Sequence, residues 1–287
     1  MRTVNFFGHQ VSKLIVGDNP FTGHSYIEHI VSCEEMLAFY TAEKIKETLF
    51  ELEACGYNTI LPLADPYIVR LLREYERDGG KLKYIFQSYM PMDQSVSNYQ
   101  IKQLKNTIGI YLQGTRVDNF YEEGRPEEIF NIIDKFRMRL GADVPVGIGT
   151  HRPDVIALAE EENWNVDFYM ASMQNARRNR EGEPSGFFSG KTKEGLIFYP
   201  EDRPIMLNQL KDVQKPILAY KIFAGGQIFL DKTEEQVRET IKGVYEEVFS
   251  ALKPDDMAVI GVFQRDKNQA RENAEIFNQW DAERNGK

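Results

Sequence analysis

The sequence has few cysteines, no excess of positive charge and no long apolar run. Its 287 residues include two cysteines, Cys33 and Cys55, which are too few for a disulfide framework or a thiolate metal cluster. The net charge of −9 disfavours a protein that coats nucleic acid or an anionic membrane. No apolar run approaches the roughly 20 residues that a membrane helix needs. We therefore expect no nucleic-acid and no membrane partner, and a small molecule as the ligand.

Histidines are scarce as well. There are four, and the five-residue separation of His24 and His29 is not the helical spacing of a metal-binding pair. We therefore predict no catalytic metal. The first residues, MRTVNFF, lack a secretory signal pattern, which together with the low cysteine count predicts a cytoplasmic location. The sequence does not predict the number of subunits.

The sequence does contain a regular alternation of short apolar runs and longer stretches of helical period. Eight such units follow one another, and most of the apolar runs are nearly continuous, as in strands that are buried on both faces. Eight units in a chain of this length favour a closed barrel over an open sheet. We predict an α/β fold, a (β/α)8 TIM barrel that forms a single domain over residues 1–287. The predicted strands are 13–17, 58–63, 83–88, 108–113, 145–149, 166–171, 216–222 and 257–262.

Start signals for helices support the alternation. Thr41 is placed to cap a helix, and Pro126 stands where a first helical turn tolerates proline. The run TEEQ at 233–236 resembles a capping box.

Two long insertions, 19–40 and 174–203, follow the first and sixth predicted strands. Both are expected at the C-terminal face of the barrel, where active sites of this architecture lie. Because loops longer than about 15 residues are usually functional or disordered, we interpret them as lids or pocket walls.

Several stretches together resemble aldo/keto reductases. The opening segment, MRTVNFFGHQVSKLIVGDNPFTG, resembles the start of that family, where a short N-terminal hairpin closes the base of the barrel. GYNTILPLADPY is similar to the second strand and AYKIFAGGQI to the seventh, and IGVFQRDKNQARENAEIF resembles the eighth strand with the helix that meets the adenine of NADP. The similar order and spacing cover nearly the whole chain. The resemblance implies an oxidoreductase that uses NADP.

The resemblance also implies where the cofactor would lie. Tyr220 matches the aromatic residue that stacks on the nicotinamide, and Thr150 matches the serine that reaches its carboxamide. Cations near the last helix are expected beside a 2′-phosphate, and a glycine pair lets a phosphate approach the backbone. The expected cofactor contacts are Thr150, Tyr220, Gly225, Gly226, Arg265, Lys267, Arg271, Glu272 and Asn273.

The catalytic residues of the family are not at their usual places. Aldo/keto reductases group an aspartate, a tyrosine, a lysine and a histidine, and the lysine lowers the pKa of the tyrosine that donates a proton. Here Asp65 and Tyr67 lie slightly beyond the expected positions, and Gln87 and Gln113 stand near the places of the lysine and the histidine. A tyrosine without these partners keeps a pKa of about 10 and is a poor acid at neutral pH. We therefore expect an altered catalytic group.

Polar side chains follow most of the predicted strands. Amides that face a cavity suit ligands rich in hydroxyls, because each amide supplies a donor and an acceptor. This pattern favours a small polar substrate, sugar-like or phosphorylated, with a carbonyl or hydroxyl group; alternatively, the glutamines only bond loop backbone. The candidate substrate contacts are Asp18, Asn19, His24, Gln87, Gln113, Gln174 and Asn175.

His151 and Lys221 are the most reactive candidates. His151 directly follows a predicted strand in GIGTHRP, which suits an acid or base. Lys221 lies in an apolar strand, where desolvation would prepare its amine for Schiff-base formation or proton abstraction. Strand alternation puts Tyr220 and Lys221 on opposite faces, so a bend is needed to present both to the pocket. The predicted catalytic residues are Asp65, Tyr67, His151 and Lys221.

Three functions stay open on these residues. The first is an enzyme that resembles aldo/keto reductases but has an altered catalytic group. The second is a non-redox lyase or isomerase that uses Lys221 or His151 as its base, with Asp65 as partner. The third is a non-catalytic barrel that binds a nucleotide or a sugar. Fold alone does not choose among them, because this barrel supports many chemistries.

Overall fold

A closed barrel of eight parallel strands forms the centre of the molecule. The computed structural model describes residues 1–88, 97–175 and 198–285. The last barrel strand pairs with the first, which confirms the predicted TIM barrel, and an antiparallel hairpin precedes it. The hairpin strands are β1 (Thr3–Phe6) and β2 (His9–Ser12). The barrel strands are β3 (Leu14–Gly17), β4 (Thr59–Leu61), β5 (Lys83–Gln87), β6 (Thr107–Leu112), β7 (Val146–Thr150), β8 (Phe168–Ser172), β9 (Ile217–Tyr220) and β10 (Met257–Gly261).

Helices follow the strands and form the outer layer. Two short 3-10 helices, Asn19–Thr22 and Ala224–Phe229, lie in the loops after β3 and β9. The helices are α1 (Cys33–Phe39), α2 (Ala42–Ala54), α3 (Pro66–Arg77), α4 (Ser97–Lys102), α5 (Gly114–Glu122), α6 (Pro126–Leu140), α7 (Pro153–Glu161), α8 (Asp202–Gln209), α9 (Glu234–Ala251) and α10 (Gln269–Asn285).

The predicted start signals are confirmed. The Thr41 hydroxyl accepts a hydrogen bond from the Lys44 amide and caps α2. Pro126 is the first residue of α6. Thr233 and Gln236 form a reciprocal capping box at the start of α9, which ties up backbone amides that a helix start would otherwise leave unpaired.

The base of the barrel is closed by the hairpin. Phe6 is fully buried and packs edge to face against Phe168 of β8, with ring centroids 5.2 Å apart. Val4 and Val11 of the hairpin belong to the same cluster as the inward-facing residues of the barrel strands. The opposite end, where the carboxyl ends of all eight strands meet, is therefore the end that can receive a ligand.

The first insertion, 19–40, lies at that end and contains a 3-10 helix and α1. Most of the second insertion, 174–203, falls on residues 176–197, which lie outside the described residues. The lid or pocket-wall roles of both stay predictions. Across 1–88, 97–175 and 198–285, no helix has the length and apolarity that crossing a bilayer requires.

Candidate active site at the mouth of the barrel

The centre of the site is a buried pair of Asp118 and His151. His151 directly follows β7, and Asp118 lies on the inner face of α5. Both residues are buried, with exposed fractions of 6% for His151 and 0% for Asp118. The His151 Nδ1 is 2.7 Å from the Asp118 Oδ2. The backbone amide of His151 and the hydroxyl of Thr150 also donate to this carboxylate. Thr150 and the backbone of His151, at the end of β7, thus hold the Asp118 carboxylate in place, and the carboxylate in turn orients the imidazole of His151.

A close contact between α5 and β7 brings the pair together. Gly114 begins α5, and a Cβ added there would lie 2.9 Å from the Tyr220 hydroxyl oxygen and 3.2 Å from the Thr150 amide. Only a residue without a side chain lets the helix start this close to the strand. The approach places Asp118, one turn further along α5, beside His151.

The other nitrogen of His151 faces a phenol and an amine. Its Nε2 is 3.1 Å from the Tyr220 hydroxyl and 2.9 Å from the Lys221 Nζ. Because Nδ1 contacts a carboxylate, we assign the ring proton to Nδ1, so that Nε2 accepts from its two neighbours. The arrangement directs Nε2, the nitrogen that does not contact Asp118, toward the Tyr220 hydroxyl and the Lys221 amine.

A bend at the end of β9 allows Tyr220 and Lys221 to reach the same atom. β9 ends at Tyr220, and Lys221 has a φ of +57°, a left-handed conformation that is uncommon for lysine. The Lys221 Nζ lies over the rings of Tyr26 and Phe198, 5.0 and 5.3 Å from their centroids. Ring faces attract the ammonium and hold it near His151.

Two phenols line the interior of the mouth. Burial, and then the Asp118 carboxylate, raise the pKa of Tyr220 well above its usual value. Burial, and then Asp18, have the same effect on the pKa of Tyr111, whose hydroxyl donates to the Gln87 Oε1 at 2.9 Å. Both phenols therefore stay protonated around neutral pH and serve as hydrogen-bond donors.

Asp18 is the second buried carboxyl group of the mouth. It is 6% exposed, and its Oδ2 accepts a hydrogen bond of 2.5 Å from the Leu63 amide. Burial is the main cause that raises its pKa to about 7; the charge of Asp65 adds to this, and the bond from Leu63 opposes it. Asp18 can therefore hold a proton near neutral pH, where an ordinary aspartate cannot.

The predicted catalytic residues Asp65 and Tyr67 have other contacts. The Asp65 Oδ1 accepts from the backbone amides of Tyr67 and Ile68 and so caps α3. The Tyr67 residue is 52% exposed. The structure thus does not bring these two side chains into the group formed around His151, and their catalytic role stays a prediction.

The predicted substrate contacts lie in several places around the mouth. Asn19 donates to the Tyr26 hydroxyl at 3.4 Å, and the His24 Nδ1 is 2.9 Å from the Thr22 hydroxyl. The remaining amides follow strand ends. Gln87 accepts a hydrogen bond from Tyr111, and the backbone amide of Asn175 donates to Asp202. Gln113, which precedes α5, is 7% exposed, and Gln174 is 1% exposed. A cavity of about 30 Å³ beside His151 is also lined by Ser172, Asn175 and Asp202, and it has room for about one or two water molecules.

The predicted adenine contacts are engaged within the protein. Asn273 is buried; its Oδ1 accepts from the Tyr245 hydroxyl and its Nδ2 donates to the Gln269 carbonyl, both at 2.8 Å. Glu272 pairs with Lys267 at 2.6 Å and with Arg238 at 3.6 Å. These contacts use part of the hydrogen-bonding capacity of the two side chains, and their role in binding adenine stays a prediction.

The predicted phosphate contacts are also used internally. Arg265 forms ion pairs with Glu35 and Asp266. The Arg271 side chain hydrogen-bonds to the thiol of Cys55. A Cβ added to Gly225 would lie 2.5 Å from Tyr26, so this glycine gives room to a residue of the first insertion. Gly226 likewise faces Ile27. The phosphate role of this group stays a prediction.

In the described ranges, no three histidine, cysteine, aspartate or glutamate side chains are grouped so that they could hold a metal.

The sequence analysis missed Asp118 and Tyr111. Asp118 occupies a buried position of α5 next to Val117, where a core-facing helix normally carries an apolar residue. A carboxylate on the apolar face of a helix that follows a barrel strand was the signal available for it. Tyr111 sits at an inward-facing position near the carboxyl end of β6, but nothing in the sequence separates it from a core tyrosine.

Comparisons with known proteins agree on the fold and go no further. The sequence matches no protein-family model and no curated protein. Among solved structures, the chain is similar to the holo form of aldo-keto reductase AKR11C1 from Bacillus halodurans, with a TM-score of 0.57 and 10% identity over 96% of this chain and 90% of that chain. A mutant of Gox0644 in complex with NADPH gives a TM-score of 0.57 and 8% identity over 96% and 88%.

A dihydropteroate synthase from Xanthomonas albilineans in complex with 7,8-dihydropteroate is similar to nearly the same degree. Its TM-score is 0.53, with 11% identity over 99% of both chains. Reductase and synthase barrels thus resemble this chain about equally, at identities that show the barrel fold alone. The resemblance to aldo/keto reductases therefore stays a prediction about ancestry.

Proposed function

We propose that this protein is an enzyme that performs acid–base chemistry on a small polar substrate with a carbonyl or hydroxyl group, as a lyase or isomerase. The observation that carries the proposal is the Asp118–His151 pair, whose ring nitrogen Nε2 lies close to Tyr220 and Lys221 at the open end of the barrel. A base that a buried carboxylate orients, and that lies beside hydrogen-bond donors, is the arrangement that proton abstraction requires.

Each residue has a separate role. His151 accepts a proton from a carbon next to the substrate carbonyl. Asp118 positions the ring and stabilises the imidazolium that forms. Lys221 and Tyr220 donate toward negative charge that develops on the substrate oxygen, and the low dielectric of the buried site strengthens these interactions.

The state of the tyrosine argues against the usual reductase route. An aspartate, a tyrosine, a lysine and a histidine do meet here, although from positions other than those of the aldo/keto reductase group. That route depends on a tyrosine with a lowered pKa, whereas burial raises the pKa of Tyr220 well above its usual value. A raised pKa suits a hydrogen-bond donor better than an acid that gives up its proton.

Proton exchange with solvent tests the proposal. The probes are small α-hydroxycarbonyl compounds, namely dihydroxyacetone, glyceraldehyde and their monophosphates, incubated with the protein in D2O and followed by NMR. We expect loss of the α-proton signal with the unmodified protein and its retention with His151→Asn. His9→Gln, in the hairpin at the closed base, is the matched control and keeps full exchange. No exchange with any probe, or equal exchange with His151→Asn, contradicts the proposal.

A Schiff base on Lys221 is a second candidate. The Lys221 Nζ is 2.9 Å from a base that is itself held by a carboxylate, which is the geometry of an activated nucleophile. Borohydride reduction in the presence of dihydroxyacetone, followed by peptide mass spectrometry, would place an adduct on Lys221. Lys221→Arg is the control, because it retains the charge and cannot form an imine. An adduct spread over surface lysines counts against this role.

NADP binding is kept as a prediction with its own test. A thermal shift with NADPH that disappears in Tyr220→Ala and in Asn273→Ala would support the predicted cofactor contacts. No shift with NADPH or NADH would remove the redox function. Tight binding of a nucleotide or sugar without any turnover would instead favour the non-catalytic barrel.

A further inference from the structure

Asp18 and His151 follow strands on opposite walls of the barrel. Asp18 comes directly after β3 and His151 directly after β7. In the closed order of strands, three strands separate β3 from β7 in either direction. All eight strands are parallel, so both residues lie at the same open end. The two side chains therefore border the mouth from opposite sides.

The surroundings of Asp18 favour a carboxyl group that keeps its proton. The groups of the described residues that act on it are the Leu63 amide, the Asp65 carboxylate and its own backbone, and no cation is among them. Asp65 follows β4, caps α3 and repels a negative charge on Asp18. From β6, the neutral phenol of Tyr111 also faces Asp18 closely enough to be affected by its charge.

Buried phenols link the surroundings of Asp18 with those of His151. Tyr111 lies close enough to Asp18 to be affected by its charge and close enough to Tyr220 to affect that phenol in turn, and the Tyr220 hydroxyl is 3.1 Å from the His151 Nε2. A small polar substrate bound at the open end would have the imidazole on one side and the carboxyl group on the other.

We infer that Asp18 is the acid partner of His151 and that together they catalyse enolisation of a small α-hydroxycarbonyl substrate. This inference rests on the proposed function. The His151 Nε2 takes the proton from the carbon next to the carbonyl, and the electron pair of that C–H bond forms a carbon–carbon double bond. The carbonyl π pair moves to oxygen, which takes the proton of Asp18. One C–H and one O–H bond break, one N–H and one O–H bond form, and an enediol results.

Infrared spectroscopy tests the proton on Asp18 without any substrate. At about pH 6 nearly all ordinary carboxyl groups are ionised, so a protonated carboxyl C=O band must come from a perturbed group. We expect such a band in the unmodified protein, its shift on labelling with ¹³C-aspartate, and its decline as the pH rises through about 7. Asp18→Asn removes the band, and Asp256→Asn, the matched control at the closed base, where the aspartate is 1% exposed, retains it.

The labelled unmodified protein makes the test independent of the folding of Asp18→Asn. Absence of an aspartate-derived band at about pH 6 overturns the inference, as does a band that persists in folded Asp18→Asn. With the band present, α-proton exchange should slow at least tenfold in Asp18→Asn, and unchanged exchange also overturns the inference. Exchange that depends on His151 without a band on Asp18 would leave the proposed function intact and reject only the acid partner.

Discussion

A lysine lies near each end of the barrel, and the two have opposite surroundings. At the closed base, Lys13 is 2% exposed, and its Nζ donates to the backbone carbonyls of Pro254, at 2.6 Å, and Asp256. At the mouth, the Lys221 Nζ contacts the imidazole of His151 and the faces of aromatic rings. The Lys13 ammonium bonds backbone oxygens, which are fixed. The Lys221 ammonium contacts the imidazole of His151, which can exchange a proton, and aromatic side chains, which can change their orientation.

The aspartates at the two ends differ in the same way. At the base, Asp256 accepts from the Ile217 amide and from the amide and ammonium of Lys253, so that its contacts join loops. At the mouth, Asp118 orients His151. The difference teaches that burial alone does not mark a functional charge. What marks it is a partner such as His151, whose other ring nitrogen contacts further reactive side chains at the open end of the barrel.

The largest expected effect concerns catalysis at the mouth. Asp118→Asn removes the carboxylate that orients the imidazole, and we expect kcat for α-proton exchange to fall by roughly 10²- to 10⁴-fold, as for the loss of general base catalysis. The NMR exchange assay measures this. Asp256→Asn at the base is the matched control, with lower stability and unchanged kcat. Equal losses of kcat in both variants would remove the distinction between the two ends.

The next effect is a pH dependence of stability that comes from Asp18. Its pKa of about 7 in the folded state lies above that of an unfolded aspartate, so the folded state binds the proton more tightly. The contribution of Asp18 to the free energy of unfolding therefore falls as the pH rises from about 4 to about 7, by an amount on the order of 4 kcal/mol. Urea unfolding at several pH values should show this fall, and the difference between the unmodified protein and Asp18→Asn isolates it. Parallel pH profiles would contradict the assignment.

A smaller effect separates the two lysines directly. Lys13→Ala leaves two buried carbonyls unpaired and a cavity at the base, and should lower the free energy of unfolding by about 2–4 kcal/mol. Burial lowers the pKa of Lys13 to about 8, so the measurement belongs near pH 7, where the amine is mostly charged. Lys221→Ala should change the same free energy by less than about 1 kcal/mol, because the contacts of its ammonium with the described residues are those with His151 and with aromatic ring faces. Chemical unfolding measures both variants, and similar losses would refute the contrast.

The smallest effect is a gain in stability at the mouth. Lys221 has a φ of +57°, a conformation that favours glycine, and Lys221→Gly should stabilise the fold by up to about 1 kcal/mol while it abolishes Lys221 chemistry. Lys221→Ala keeps a Cβ and should show no such gain. A calorimetric comparison of the two variants tests whether strain is held at this residue.

The strands could be predicted from sequence because their signal is local. Each predicted strand overlaps an observed one, since apolar runs between helix caps are read within a few residues. The site could be predicted only in part. The sequence identifies His151 and Lys221 as reactive groups next to strand ends, but their contact across β7 and β9 depends on the left-handed backbone at Lys221. Asp118 joins them only because Gly114 lets α5 approach β7, and no short stretch of sequence encodes that approach.

Phe6 packs against Phe168 and closes the barrel at its base. A molecule that enters the barrel at the mouth therefore also has to leave there before the next one can bind. Water that an incoming ligand displaces has to leave through the same opening. Entry and exit of a ligand therefore both take place at the rim of the mouth, where the segments after β3 and β9 approach each other at Gly225 and Tyr26.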